Sequence, residues 1–595
     1  MKLGHRVRLM PTDDVSPSLP PFTAPEDSPY ARQAPLRQAI GRTRSWLHAE
    51  QHGDGFWVGE LEGDSILESE YLLLLAYLGQ EHSPIARKCA AYMLELQQPE
   101  GGWGQYPGGE IDISASVKAY FALKLVGQDP ASEPMLRARR AILAAGGADR
   151  VNSFTRFYLA LLGQIPYACC PEVPPEAVLL PKWSPINLYR VSAWSRTIIV
   201  PLSIMSALRP VREIDSQRGI RELFLETPEN WPPLACPGQT GGKGLLSWDR
   251  FFRGIDGLLK TCRRWNVLPL RRRALKQAKQ WMLERFEASD GLGAIFPPIV
   301  WSWIALDALG YPAESPEVAC CREQLEGLIL EDTTTARLQP CKSPVWDTAI
   351  TLRALAASGS APDDEAVEAA VDWLLNNEIR RAGDWAATVE AQPGGWCFEH
   401  ANEFYPDVDD TAMVLLALRH QLDEAQPHGD SLPPTLHIFH DSAANVATAR
   451  AKAERCTRIG AAAQRAIDWM LAMQNKDGGW GAFDKDNDRE FLCHVPFADH
   501  NAMIDPSTPD LTARVLEALG AWGYDQTSPA VRKALDYLRA TQMADGSWFG
   551  RWGVNFIYGT WQTLVGMTAV GVATDDPAIV AGANWLICHQ QPSGG

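Results

Sequence analysis

An all-α protein is what the sequence predicts, and three observations carry that expectation. A short motif, Q-x3-G-x-W, recurs along the 595-residue chain. Each good copy lies between two apolar helical patterns, and the alternating pattern of half-buried strands is nearly absent. The motif stands at Gln51–Gly55–Trp57, Gln97–Gly101–Trp103, Gln474–Gly478–Trp480 and Gln542–Gly546–Trp548, with degenerate copies at "AQPGGW" (391–396) and "FEASDGLGAIFPP" (286–298). Helical stretches such as "AYMLELQ" and "AIDWMLAMQ" run into it, and "SEYLLLLAYLG" and "LTARVLEALGAWG" follow it. Glycine supplies the positive-φ positions of the turn, the glutamine amide caps helix ends, and the indole stacks over it. Helical hairpins repeated in this way close into α/α toroids or solenoids. At the end of the chain, "WLICHQQPSGG" has Gln590 and Gly594 in place and stops one residue short of the expected Trp, so the chain is expected to end inside a repeat.

Composition narrows the class. A chain of 595 residues, 46% hydrophobic and 21% charged, is globular and long enough for two large domains. A formal charge of −17 argues against nucleic acid as a partner, because phosphate neutralisation needs clustered Lys and Arg. Twelve cysteines without a CxxC pair suit a reducing compartment. No apolar run is long enough to span a bilayer, and no signal-peptide pattern follows Lys2, Arg6 and Arg8, so a cytoplasmic protein is expected, at a membrane face. Seven prolines between residues 11 and 35 predict a flexible arm through residue 36. Residues 420–460, rich in proline and polar residues, read as a surface insertion without chemistry of its own.

The candidate chemistry begins at "FYPDVDDTAMVL" (404–415), where Asp407, Asp409 and Asp410 precede an apolar run. One or two aspartates there form an ordinary helix N-cap. Three repel one another, which raises at least one pKa, while the helix terminus favours the anion left after proton loss. Such a group is a strong carboxylic acid suited to a weak base. The 22 tryptophans point to the base: an aromatic cavity stabilises a carbocation without offering lone pairs to quench it. Acid and cage together imply alkene protonation with water kept away. Other motifs fail. "DKDNDRE" (484–490) has Arg489 at the glycine position of a calcium loop and Val495 at its terminal glutamate. Cys397 and His400 have no second ligand pair, so no metal is expected. In 244–266, Leu245, Trp248, Phe252, Ile255 and Leu259 share a helical face beside Arg250, Arg253, Lys260, Arg263 and Arg264; an interfacial helix and an ordinary barrel helix fit equally.

The repeats, "DVDDTA" (407–412), "GGADRVNSFTRFYLALLGQIPY", "SPVWDTAI", "GGWGAFDKDN", "DPSTPDLTARVLEALG" and "GSWFGRWGVNFIYGTW" together resemble squalene–hopene cyclases, class II triterpene cyclases, over residues 37–595. Oxidosqualene cyclases carry DCTAE in place of DxDDTA. The resemblance implies two α/α barrels in a dumbbell, one from 37–60 with 342–595 and one inserted at 61–341. It implies cyclisation of squalene to hopene or hopanol without metal or organic cofactor, on a monotopic enzyme at the cytoplasmic side of the membrane. A homodimer is an open alternative for the assembly. Asp409 matches the proton donor and Asp407 and Asp410 its flanking carboxylates. Trp346, Asp347, Phe398, Trp552, Tyr558, Trp194 and Ile295 match cavity positions. Phe483 stands where the family often has Tyr, and Arg514 where many members have His beside the match to Asp510. Arg514 is expected either to pair with Asp510 at i,i+4 or to reach the aspartate cluster as well. Further cavity aromatics of the family would fall beyond residue 595. The alternatives are a class II cyclase of another linear terpenoid and a non-catalytic α-toroid scaffold.

Overall fold

The computed structural model describes residues 29–227, 230–231, 247–423, 443–497, 502–553 and 555–595. Helices α1 (Pro29–Glu50), α2 (Ser65–Leu78), α3 (Pro84–Glu95), α4 (Ile113–Val126), α5 (Glu133–Ala144), α6 (Ser153–Leu161), α7 (Ala193–Leu208), α8 (Trp248–Arg264), α9 (Arg271–Glu284), α10 (Phe296–Ala308) and α11 (Pro316–Glu326) come first. A short antiparallel hairpin follows, β1 (Ile329–Glu331) against β2 (Ala336–Leu338). Then come α12 (Pro344–Ala357), α13 (Glu365–Asn376), α14 (Val408–Asp423), α15 (Ala443–Ala472), α16 (Pro509–Ala521), α17 (Pro529–Thr541), α18 (Phe556–Ala569) and α19 (Pro577–His589).

Burial sorts these helices into two kinds. α2, α4, α14 and α16 are apolar around most of their circumference and are buried accordingly, as with Leu72–Leu75 and Val414–Leu418. α3 and α17 bury one stripe only, Ala86, Cys89, Ala90 and Met93 in the first and Val531, Ala534, Leu535 and Leu538 in the second. Inner helices α12, α14, α16 and α18 pack each against the next, and α13, α15, α17 and α19 back them in turn. In the preceding part α2 packs on α4 and α10, and α10 on α7 and α11. The protein is therefore all-α, built of inner–outer helix pairs in the manner of α/α toroids. Residues 51–595 form one compact unit, and α1 is a unit apart.

The repeat motif is the clamp between pairs. The side-chain amide nitrogen of each of these glutamines, Nε2, donates twice: to the carbonyl of its own turn glycine and to the carbonyl of the second residue of the next outer helix. For Gln97 the acceptors are Gly101 and Pro134, both at 2.8 Å. For Gln474 they are Gly478 and Ala530, at 2.8 and 2.9 Å, and for Gln542 they are Gly546 and Ala578, at 2.9 and 3.0 Å. Gln51 does the same with Gly55 and Ala366. The indoles of Trp103, Trp396, Trp480 and Trp548 donate to carbonyls of the outer helix just ended, at 2.7–2.8 Å. Thus the indole ties the turn back to the outgoing helix. The glycine is required twice over: Gly478 has φ +96°, and a Cβ there would lie 2.3 Å from the Lys533 carbonyl oxygen.

Two boundary expectations change. Helix begins at Pro29, inside the arm expected through residue 36, because Pro is favoured at a helix start and Ala, Arg, Gln and Leu follow it; residues 1–28 lie outside the described residues. Within 420–460, residues 420–423 end α14 and residues 443–460 begin the 30-residue α15. Arg455 and Arg458 there pair with Glu368 and Asp372 of α13. Residues 424–442 of that segment lie outside the described residues.

Candidate active site

A cavity of about 590 Å³ opens between the α7–α10 region and the start of α14. Its walls are largely aromatic: Trp194, Trp346, Phe398, Tyr405, Phe483 and Trp552. Trp194 meets Phe483 and Trp552 edge to face, with centroids 5.7 and 5.6 Å apart. Ile295 and Tyr558 also line it, as expected.

A common register brings the polar end together. The backbone N–H groups of Trp57, Trp396, Trp480 and Trp548 donate to the hydroxyls of Thr348, Thr411, Thr512 and Thr560, at 3.0–3.2 Å. Two residues before those threonines stand Trp346, Asp409, Asp510 and Tyr558, one per inner helix. Trp346, Asp409 and Tyr558 line the cavity, and Asp510 instead accepts the Trp552 N–H at 2.8 Å, holding that ring's backbone.

Asp407 is the N-cap of α14. Its own N–H donates to the Trp396 carbonyl at 2.8 Å, and its Oδ1 accepts from Asp409 N at 2.6 Å. Asp407 and Asp410 are buried, and burial, then the neighbouring carboxylates, push both well above the usual range. Asp409 keeps 16% side-chain exposure, toward the cavity. Burial raises its pKa, Arg514 opposes the rise, and Asp510 and Glu517 add to it. Arg514 Nε lies 2.7 Å from Asp409 Oδ1, and the guanidinium also donates to the Tyr558 hydroxyl and sits 5.3 Å over the Trp346 ring. The i,i+4 pair with Asp510 does not form: Arg514 reaches across to α14 instead. Glu517, one turn further along α16, takes Arg353 and Gln562.

One expected wall residue is elsewhere. Asp347 does not line the cavity; its Oδ2 accepts the Gly59 N–H and the Ser343 hydroxyl, both at 2.8 Å, and ties residue 59 to the start of α12. Adjacent positions on a helix point about 100° apart, so Trp346 and Asp347 cannot both face in.

The family model described as Squalene-hopene cyclase N-terminal domain matches residues 40–334. The one described as Squalene-hopene cyclase C-terminal domain matches 342–432 and 437–595. The chain belongs to the squalene–hopene cyclase family. It is 39% identical over 562 residues to a squalene–hopene cyclase of Zymomonas mobilis subsp. mobilis, covering 93% of this chain and 80% of that protein. Against the squalene–hopene cyclase of Alicyclobacillus acidocaldarius subsp. acidocaldarius the identity is 36% over 536 residues, covering 90% and 79%. A dammaradiene synthase of Dryopteris crassirhizoma is 33% identical over 569 residues, covering 94% and 78%. The protein is a class II terpene cyclase, an enzyme of intramolecular cyclisation.

For a cyclase of this family the remaining wall residues carry equal interest. Tyr405 lines the cavity with its hydroxyl 2.9 Å from Asp384 Oδ2. Asp384 also binds Arg196 and Arg285, and Arg196 reaches Asp484 at 2.8 Å, all of them buried. This network fixes α7, which carries Trp194, to the loop that carries Phe483. Asp505 completes that loop by accepting the N–H groups of Ala482, Phe483 and Asp484 at 2.7–3.1 Å. Arg551 sits 5.6 Å over the Trp194 ring. Glu399 and Asn402 also line the cavity. None of these was singled out from sequence; the buried charges Arg196, Asp384 and Asp484 lie up to 288 residues apart and carry no local signal.

Proposed function

We propose that this cyclase acts on squalene, with Asp409 protonating a terminal double bond and the aromatic walls carrying the resulting cations through ring closure to hopene or hopanol. The observation that carries the reading is the Asp409 carboxyl at the cavity wall, paired with Arg514. An alkene is a very weak base, so the donor must be stronger in action than at rest. Burial favours the protonated form of Asp409 before reaction, and the Arg514 guanidinium stabilises the carboxylate once the proton has left. Burial of Asp407 and Asp410 favours their neutral forms, which add no anionic charge against it. The faces of Trp346, Phe398, Phe483, Trp194 and Trp552 stabilise positive charge by cation–π attraction, worth about 0.5–2 kcal/mol per ring. They offer no lone pair to trap the cation.

Supply of so apolar a substrate favours a bilayer surface. No helix among the described residues is long and apolar enough to span a membrane. On α8 part of the expected apolar face turns inward: Phe252 is buried, Ile255 and Leu259 are half-buried, and Leu245 lies outside the described residues. Trp248 of that face is exposed instead, with Phe251 and Leu258 beside it, and the stripe is continued by Trp265, Val267 and Leu270. Of the α8 cations, Lys260 pairs with Asp256 and Arg263 with Glu172. We propose that this stripe rests in the interface of the cytoplasmic leaflet. Flotation with lipid vesicles tests it: Phe251→Glu with Leu258→Glu should leave the protein in the lower fraction.

The substrate reading is tested by incubating the protein with squalene in detergent beside Asp409→Asn, with pentacyclic products read by mass spectrometry. Product from the wild type alone is expected. Wild-type protein that consumes another linear terpenoid but not squalene would overturn the substrate while keeping the class.

A further inference from the structure

Proton donation leaves Asp409 ionised after every turnover, and the proton lost from the final cation leaves at the other end of a long substrate. The acid must therefore be recharged from water. Arg514 cannot serve, because a guanidinium is permanently charged and has no acceptor. A second pocket, of about 400 Å³, is lined by His52, Asp54, Asp290, Lys342, Glu399 and His400 among others. His52 and Asp54 are exposed, with side-chain exposures of 56% and 76%, so this pocket meets solvent. Glu399 lines both spaces. It is a buried carboxyl between a pocket that meets solvent and the aromatic cavity, and the protonation chemistry just proposed does not use it.

The surroundings of Glu399 suit transfer in both directions. Asn402 Nδ2 donates to its Oε2 at 3.1 Å and fixes the carboxyl. On the cavity side Asp410 lines the same space, its buried Oδ1 has no hydrogen-bond partner, Glu399 is among the groups whose charge acts on it, and both carboxyls act on Cys341 and Cys397. On the outer side Asp290 faces Glu399, and His400 and Lys342 face Asp290. Asp290 is itself fixed by the Ala401 N–H at 3.1 Å.

We propose that Glu399 is the proton inlet of the enzyme, passing protons from the His400–Asp290 pocket to Asp410 and so to Asp409. The proposal rests on the protonating role of Asp409. Each step is a proton transfer between oxygens, through one bridging water where the carboxyls do not touch. Glu399 gives its proton toward Asp410, Asp410 gives one to the Asp409 carboxylate, and Glu399 is refilled from hydronium or from imidazolium at His400. One proton enters here for each proton released from the product cation, with no redox change. Burial, which pushes the Glu399 pKa up to about 8, keeps the carboxyl loaded at neutral pH.

Two rates separate this role from the chemistry. With enzyme in excess over squalene, Glu399→Gln should cyclise one equivalent within about twofold of the wild-type rate; under repeated turnover it should be slower by about tenfold or more. Glu399→Asp, which keeps an acid, should restore most of the repeated rate. Equal loss in both regimes marks Glu399 as structural and overturns the proposal, as does no loss in either. If Glu399→Gln does not fold, His400→Phe carries the test: repeated turnover alone should fall, and most at high pH, while an unchanged ratio overturns the inlet. Asp409→Asn is the control that separates the two ideas. Product from that variant removes the protonation reading and the inlet with it, whereas a dead Asp409→Asn beside an unaffected Glu399→Gln removes the inlet alone.

Discussion

The starts of α4 and α14 are the same piece of architecture put to different use. At each, an aspartate N–H donates to the carbonyl of a repeat tryptophan, Asp112 to Trp103 and Asp407 to Trp396, both at 2.8 Å. At each, a hydroxyl four residues on, Ser116 or Thr411, accepts that tryptophan's N–H at 3.0 Å. Both aspartates cap with Oδ1, to Ala115 N at 2.7 Å and to Asp409 N at 2.6 Å. The difference lies in two of the three residues between. Where α4 has Ser114 and Ala115, α14 has Asp409 and Asp410. Ser114 serves the fold by accepting the Asn152 N–H at 3.0 Å. Asp409 faces a cavity and meets Arg514 from another helix. A cap becomes an acid by two substitutions in the first turn and one guanidinium opposite.

That comparison is open to attack from both sides. The largest expected effect is at Asp409: Asn there should lower turnover by about 10³-fold, the scale of a lost general acid, while the melting temperature hardly moves. Arg514→Ala should cost about 10²-fold in kcat, as for loss of one stabilising donor to a developing anion, and Arg514→Lys should recover only part. Wild-type turnover in Arg514→Ala would remove the guanidinium from the account. On the other helix Asp112→Ala should lower stability by about 1 kcal/mol in chemical denaturation and leave turnover per folded molecule unchanged.

A smaller effect concerns pH. Glu399 is held protonated up to about 8, chiefly by burial, against the ordinary 4.5. Between those values the folded chain holds a proton that the unfolded chain has lost, so stability should fall as pH rises from about 4.5 to 8, with no contribution from this group below that window. Glu399→Gln should flatten that part of the melting-temperature profile, and an unchanged slope would mean that Glu399 ionises normally. Gly546→Ala, at φ +94° and 2.8 Å from the Ala581 carbonyl oxygen, should cost about 1–3 kcal/mol without touching the acid.

The sequence by itself determined the helical hairpins and the acid. Gln, Gly and Trp act within seven residues of one another, and the turn they build needs little from elsewhere except the next helix start. "DVDDTA" is equally local: an N-cap with two more carboxylates announces itself within one turn. The wall residues Trp194, Phe398, Phe483 and Trp552 were reached only through a family pattern, since a lone aromatic in a sequence looks the same in a core and in a cavity. Tertiary structure decided the rest. It turned Asp347 out to Gly59 and brought Arg514 to Asp409 rather than to Asp510. It exposed Phe251 and Leu258 on α8 beside Trp248, turned Phe252 of the expected face inward, and set Glu399 between two pockets. The physical reason is one of range: hydrogen bonds within a turn are written in neighbouring residues, but which side of a helix meets a cavity is fixed by packing against chain hundreds of residues away.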